Sequence, residues 1–529
     1  FTDGSDYGFY KYYKADDRQV YADIMVNIDK RFKDFSLSAN IGGSFTQTYY
    51  DEKGFQGGLK DMSNVFSLYN MNTVLDKDTY PVEDGYKQRT NSVFASAELG
   101  WKSMLYLTLT GRNDWDSALI NTEQSSFFYP SVGLSGVISE MVKLPTFISY
   151  LKVRGSFASV GTAIPRNLSS KKTYKWEPST SQWKLQTYRP LPKLYPERTN
   201  SWEAGLNAKF FRNSLTLDVT WYKANTRKQT FLVPLSGTAV YAAMYAQSGN
   251  IENQGMEFTL GYNKKWGDFG WSSSLTYSFN KNKIVELLDD AVDDEGNHYT
   301  LKEIDKGGIG SAKIILRKGG DMGDMYVTNR LKRDQEGNIY IDKATQNVKK
   351  EDIKNSDEFI HVGSVLPKGN MGFRNDFSYK GINLGFMLSA RFGGIVMSPT
   401  QAVMDQFGVS KTTELARESE GIAINNGLVD TQTFYTETAG VSGLMSNYIY
   451  SATNVRLQEV SVGYAFPAKW FNNKCNLSLT LTGHNLWMIY NKAPFDPEST
   501  ASTGTYYQGI DYFMQPSLKS WGFNVKIQF

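Results

Sequence analysis

Ser520-Trp521-Gly522-Phe523-Asn524-Val525-Lys526-Ile527-Gln528-Phe529 is the stretch whose reading decides the fold. Trp521, Phe523, Val525, Ile527 and Phe529 fall on one face of an extended chain. Ser520, Gly522, Asn524, Lys526 and Gln528 fall on the other. A strand that separates lipid from water needs this dyad, because successive side chains point to opposite faces.

The same alternation recurs upstream in pairs joined by short turns. Val20, Ala22, Ile24, Val26 and Ile28 precede a turn at Lys33-Asp34; Phe35, Leu37, Ala39 and Ile41 follow it. Val93 to Trp101 and Leu105 to Leu109 flank Lys102-Ser103. A third pair spans roughly 127–140 and 149–161, turning through Pro145. Trp202 to Phe210 and Leu215 to Trp221 flank Arg212-Asn213; Met256 to Tyr262 and Trp271 to Phe279 turn near Gly267; Met371 to Tyr379 and Ile382 to Leu388 turn at Lys380-Gly381. In the seventh pair, Arg456 to Phe466 has a blurred dyad, and Cys475 to Leu481 a clean one with Cys475 counted on the apolar face. With the terminal strand this makes about fifteen. Short turns alternate with long connections near 51–87, 163–198, 286–368, 397–450 and 490–517. Aromatics (Phe32, Trp101, Phe210, Phe211, Trp266, Trp271, Trp470, Phe471) crowd the short-turn ends, where an interfacial girdle belongs. The expectation is an all-β transmembrane antiparallel barrel in the cell outer membrane, with short periplasmic turns and long surface loops.

Composition agrees. No run approaches the ~18 apolar residues of a membrane-crossing helix. Tyr (33), Phe (31) and Gly (46) are abundant, and the one Cys excludes an internal disulfide framework or a thiolate zinc cluster. A net charge of +3 makes no electrostatic case for nucleic acid. Three His and no Ser/His/Asp set, phosphate loop or paired carboxylate motif argue against an enzyme. A soluble β-sandwich also alternates faces, but the bulky apolar residues on nearly every strand oppose that reading. Bacterial single-chain barrels use even strand numbers, and an unpaired edge in lipid is costly. An odd count therefore predicts that the chain is the carboxy-terminal part of a larger wall.

Several segments resemble one family. Phe127 to Glu140 (FFYPSVGLSGVISE), Tyr150 to Ala163 (YLKVRGSFASVGTA) and Pro196 to Gln229 are similar to the central barrel of SusC/RagA-type TonB-dependent transporters. So are Gly249 to Tyr262 and Trp271 to Leu287. Asn454 to Trp470 (NVRLQEVSVGYAFPAKW), Leu481 to Ile489 and Phe495 to Ser499 (FDPES) match the closing segments in order. The resemblance implies a barrel of about 22 strands, of which residues 1–529 supply about the last fifteen, with the plug domain and TonB box outside this chain. It further implies import of oligosaccharides, or in some members peptides, in Bacteroidetes. Partners would be a SusD-like surface lipoprotein, TonB and the bilayer, commonly as a dimer of the two-protein unit. The alternatives are a non-transporting scaffold or adhesion barrel, and a siderophore receptor.

No catalytic, cofactor or resident metal site is expected. Candidate contacts for solute or lipoprotein lid are the loop aromatics Tyr174, Trp176, Trp183, Tyr188, Tyr241, Tyr245, Tyr506 and Tyr507. Aromatic faces beside polar groups suit sugar rings and protein partners alike; packing between loops is the third reading. Asp289, Asp290, Asp293, Asp294 and Glu295 offer oxygens to Ca²⁺ but lack the spacing of a calcium loop, which favours a solvated turn. Asp334 to Asn338 reads as a tight turn. His484 is placed on the lumen face with no second His or carboxylate at a useful spacing, as a hydrogen-bonding wall residue.

Overall fold

Fifteen strands form one antiparallel sheet in sequence order: Phe9–Phe32, Phe35–Gly58, Tyr80–Trp101, Leu105–Asp116, Ser126–Val137, Ile148–Thr162, Glu197–Phe210, Leu215–Pro234, Ala243–Trp266, Phe269–Glu286, Gly369–Tyr379, Ile382–Phe392, Asn454–Ala465, Asn476–Asn491 and Ser520–Gln528. A short strand, Tyr188–Arg189, pairs in parallel with Ala243–Trp266. The structure is a computed structural model that describes residues 5–72, 79–120, 122, 124–164, 168, 174–177, 180, 182–185, 188–189, 195–234, 243–292, 298–502, 504 and 507–529.

In five hairpins the neighbour pairing follows from turns of two to four residues, which leave the two strands no room for any other partner; across the longer connections the same sequential order holds. Left-handed backbone appears where the turns are tightest: Lys33 at φ 51°, Lys102 and Ser103 at 51° and 58°, and Lys380-Gly381 at 45° and 91°. Positive φ at both central residues matches the right-handed twist of a hairpin.

The dyad persists across the sheet as continuous rows. Leu206, Val219, Phe258, Tyr277, Met371, Ala390 and Val455 are successive cross-strand partners on one face. One residue along, Asn207, Asp218, Thr259, Thr276, Gly372, Ser389 and Arg456 form the opposite row. Leu105 is exposed and Leu217 and Leu479 are only half-buried; among the described residues no second sheet covers them, so the apolar face is an outer surface. On the polar face, Arg112 donates to Asp114 at 2.7 Å, Arg154 to Asp218 at 3.1 Å, and Arg374 to Asp376 at 2.8 Å. These partly exposed pairs each contribute little stability, but they fill a wetted wall. Val219→Arg, on the apolar face and further into the strand, is expected to destabilise the sheet by about 2–4 kcal/mol. Thr216→Arg, on the other face, should stay within about 0.5 kcal/mol; urea unfolding in lipid vesicles measures both.

The aromatic girdle is present at the turn ends. Phe147, Phe210 and Phe211 cluster, Trp266 stacks on Phe269 at 6.0 Å, and Phe466 meets Trp470 at 5.9 Å. Lys30, Lys102, Lys264 and Lys380 lie 5.3–5.5 Å from the rings of Phe32, Trp101, Trp266 and Tyr379. Amphipathic side chains at the headgroup level pair in this way.

The blurred dyad at 456–466 has a structural cause. Register shifts fall between Met387 and Leu388 on one side and at Val455/Arg456 and Leu457/Glu459 on the other. Each bulge flips the faces that follow it. The first two strands run 24 residues each, about 80 Å at the usual rise, so they extend well past a hydrocarbon layer of about 30 Å. The connection expected at 51–87 shortens accordingly to residues between Gly58 and Tyr80.

The main apolar core lies above the wall. The 286–368 connection carries a four-stranded sheet ordered Glu303–Ile309, Ala312–Arg317, Asp324–Val327 and Ile360–Ser364. The 397–450 connection carries helices Pro399–Gln406, Lys411–Glu418 and Thr431–Thr438. Ser398, Ser410 and Asp430 cap these helices by accepting from the amides of Gln401, Thr413 and Thr433. Ile314, Leu316, Met325, Met397, Met445 and Ile510 are fully buried together, with Ile284 and Phe231 from the strand tops. Loops expected only to be long thus form a folded body that packs on the rim.

Candidate functional site

Between this body and the polar face of the wall lies a cavity of about 1050 Å³. The wall contributes Tyr222, Glu257, Asn280, Asn282 and Asn370; the body contributes Asp321, Asp324, His361 and Ser364. Wall residues reach it because the polar parity of Leu215–Pro234, Ala243–Trp266, Phe269–Glu286 and Gly369–Tyr379 continues to the rim.

The body side is a hydrogen-bonded constellation. The Ser364 hydroxyl donates to Asp321 Oδ1 at 2.7 Å, and the Gly323 amide donates to the same oxygen at 2.8 Å. The Asp321 amide donates to Asp324 Oδ2 at 3.0 Å, and His361 Nε2 lies 3.0 Å from Asp324 Oδ1. Burial, and then the neighbouring Asp324 carboxylate, push the Asp321 carboxyl above its ordinary range. The His361 ring packs on Tyr326 at 5.1 Å, whose other neighbour is the Arg317 guanidinium at 4.4 Å. Lys281 and Lys368 are exposed at the rim. The arrangement offers oxygen and amide groups for hydrogen bonding beside the apolar surfaces of Leu366 and Ile395, a form that holds polar solutes by orientation. The sequence reading passed over these residues. Their only local signal is the repeat of Gly and Asp in Gly319-Gly320-Asp321-Met322-Gly323-Asp324.

A second constellation lies at the rim. Arg456, with its side chain 5% exposed, sits 2.7 Å from Asp496 and 3.4 Å from Glu498. The Asn454 amide donates to Glu498 at 3.3 Å, and Tyr450 meets Phe495 edge-on at 5.6 Å. Two of the resemblance-bearing segments, Asn454 to Trp470 and Phe495 to Ser499, are therefore the two halves of one lock. Burial alone would raise the Asp496 carboxyl; hydrogen bonds from Ser517, the Glu498 amide and Arg456 outweigh it and hold Asp496 below its ordinary range.

Of the loop aromatics whose side chains are described, none lines the cavity. Tyr174 and Trp176 lie on Tyr174–Glu177, paired with Gln182–Leu185, where Trp183 meets Trp176 edge-on at 5.6 Å. Trp183 and Tyr174 are exposed. Tyr188 pairs with Ala243 through its backbone, and its side chain lies outside the described residues, as do Tyr241 and Tyr506. Tyr245 sits opposite Leu232 within the wall pairing. The Tyr507 hydroxyl donates to the Lys306 carbonyl at 2.6 Å, tying the last loop to the folded body. Asp289 and Asp290 lie on Leu288–Val292, with their side chains outside the described residues; Asp293, Asp294 and Glu295 are outside them entirely. Asp334 accepts from the amides of Glu336 and Asn338, with Gly337 at φ 86°, the tight turn expected. The expectation for His484 is corrected: its Nδ1 lies 3.7 Å from Glu459 Oε2. The two are cross-strand partners, a proximity that spacing along the chain cannot display.

The family described as TonB dependent receptor-like, beta-barrel, matches residues 1–305. The chain belongs to that family. TonB-dependent receptor P3 of Formosa agariphila is 24% identical over 536 residues, covering 95% of this chain and 51% of that protein. TonB-dependent receptor SusC of Bacteroides thetaiotaomicron is 26% identical over 291 residues, covering 52% of this chain and 26% of that protein. The structure of the RagAB peptide transporter superposes with a TM-score of 0.74 at 18% identity, over 97% of this chain and 55% of that one; at that identity it shows the fold. The chain spans about half the length of TonB-dependent receptor P3. As a member of a TonB-dependent receptor barrel family, it is an outer-membrane protein, and its apolar rows are the surface that meets lipid.

Proposed function

We propose that this chain forms wall and surface loops of a TonB-energised importer of oligosaccharides or peptides, working beneath a SusD-like surface lipoprotein. The carrying observation is the polar cavity set between a folded surface body and the wetted face of a receptor-barrel wall. In this reading the fifteen strands belong to a barrel of about 22. Solute is captured at the mouth, held by the hydrogen-bonding groups of the rim, and released along the polar rows when TonB acts on a plug. The wall makes no covalent change; it supplies a cylinder of satisfied backbone groups and selective contacts. The similarity to SusC and to the RagAB fold supports this reading, as do the exposed aromatics Tyr174 and Trp183, available to solute or lid. Deleting the gene is expected to abolish growth on one class of oligosaccharide or peptide as sole nutrient, and removing TonB should reproduce the defect. Unimpaired growth on every glycan and peptide offered would overturn the import reading.

A further inference from the structure

The sheet of the surface body ends on Ile360–Ser364. That strand pairs with Asp324–Val327 through Asp324↔Ser364, Met325↔Gly363, Tyr326↔His361 and Val327↔Ile360. Among the described residues its other edge pairs with no strand, and no backbone bond from another segment reaches residues 360–364 along that edge. An unpaired edge is a row of free N–H and C=O groups, which proteins normally cover, charge or shorten. Here His361, Gly363 and Ser364 line the 1050 Å³ cavity. The strand is also held firmly. Val362 packs against the buried core of the body, and a Cβ on Gly363, at φ 131°, would stand 3.0 Å from Ile395. A rigid, unpaired strand beside a roomy polar recess is a template for one more strand.

We propose that the free edge of Ile360–Ser364 takes an extended peptide, which adds to the four-stranded sheet as a fifth strand within the cavity. The proposal rests on the import reading and names its solute class. Main-chain hydrogen bonds supply the affinity in strand addition, and pockets for alternate side chains supply selectivity. An oligosaccharide cannot continue the ladder, because it lacks donors and acceptors alternating at the roughly 3.3 Å repeat of a strand. Side chains of the guest would meet Asn280 and Asn370 across the recess. Asn370 is exposed there and has no role in the wall ladder beyond its backbone.

The test uses the full-length protein purified in detergent and a fluorescein-labelled pool of short random peptides. Selected binders are resynthesised with alternate backbone amides N-methylated, which removes donors and blocks pairing while keeping every side chain. The expected result is a loss of at least about tenfold in affinity for one N-methylation register. Asn370→Trp, which fills the recess without touching the binding edge, is expected to cost a similar factor, and maltohexaose should not compete. Equal affinity of parent peptides and both N-methylated registers would overturn strand addition, as would binding of maltohexaose with no binding of peptides. Cellular uptake separates this from the import reading. Uptake of a bound peptide that persists without TonB sinks import and leaves the edge intact. TonB-dependent uptake that is indifferent to N-methylation sinks the edge alone.

Discussion

Arg456→Met is expected to destabilise the rim by about 3–5 kcal/mol, the cost of leaving the nearly buried Asp496 carboxylate without its cation. Arg456 is nearly inaccessible, and its guanidinium stands between Asp496 and Glu498. Methionine fills a similar volume, so lost packing contributes little and the uncompensated charge dominates. Arg456→Lys should recover part of the loss, because both ion pairs are made by the single nitrogen Nη2 and one ammonium can stand near that point. Differential scanning calorimetry of the protein in detergent, together with protease cleavage within 492–519, measures the effect. The pH dependence has a definite sign. Asp496 is held below its ordinary value when folded. Its contribution is therefore full above the unfolded carboxylate range, near 3.8 for Asp, and is lost as pH falls through the lower folded value. The wild-type loop should loosen only in strong acid. In Arg456→Met the stabilisation should already be missing at neutral pH, and acid should restore part of it by protonating the stranded pair. A variant as stable as wild type at pH 7 would show that the lock does not hold this loop.

Leu316→Asp should unfold the surface body while leaving the wall in the membrane. Leu316 is fully buried and pairs opposite Ile304 in the middle of the four-stranded sheet. Truncating such a leucine costs about 2–5 kcal/mol, and a carboxylate without a partner adds several more. The wall strands are closed by their own ladders and by lipid, so the damage should stop at the rim. Expected outcomes are normal abundance in the outer membrane, rapid protease cleavage between 303 and 365, and loss of solute uptake. Retained uptake with a cleaved body would remove the cavity from the transport pathway.

Much of this architecture was legible in the residue order. Dyads such as Leu215, Leu217, Val219 and Trp221 mark both the strand and the face it turns to lipid, and Lys33-Asp34 or Lys380-Gly381 mark where it reverses. The tight turn at Asp334 to Asn338 could be read the same way. The folded body could not. Its core joins Ile314, Met397, Met445 and Ile510, and a single connection holds no period that announces such a meeting. The cavity was equally hidden: Asp324 and His361 are 37 positions apart, Asp321 and Ser364 43. The partners of Arg456 lie 40 and 42 positions away, and the partner of His484 is set by register between strands.

By itself, then, the order of residues determined which side of each strand meets hydrocarbon, where the wall reverses and which membrane it suits. A polar side chain in lipid is penalised at every position independently, so that requirement is written locally, two residues at a time. Tertiary structure alone decided the surface body, the cavity beneath it, the lock at Arg456 and the unpaired strand edge at Ile360–Ser364. Each of these depends on bulges, register and apolar contacts between distant segments, and burial of that kind rewards proximity in space whatever the separation along the chain.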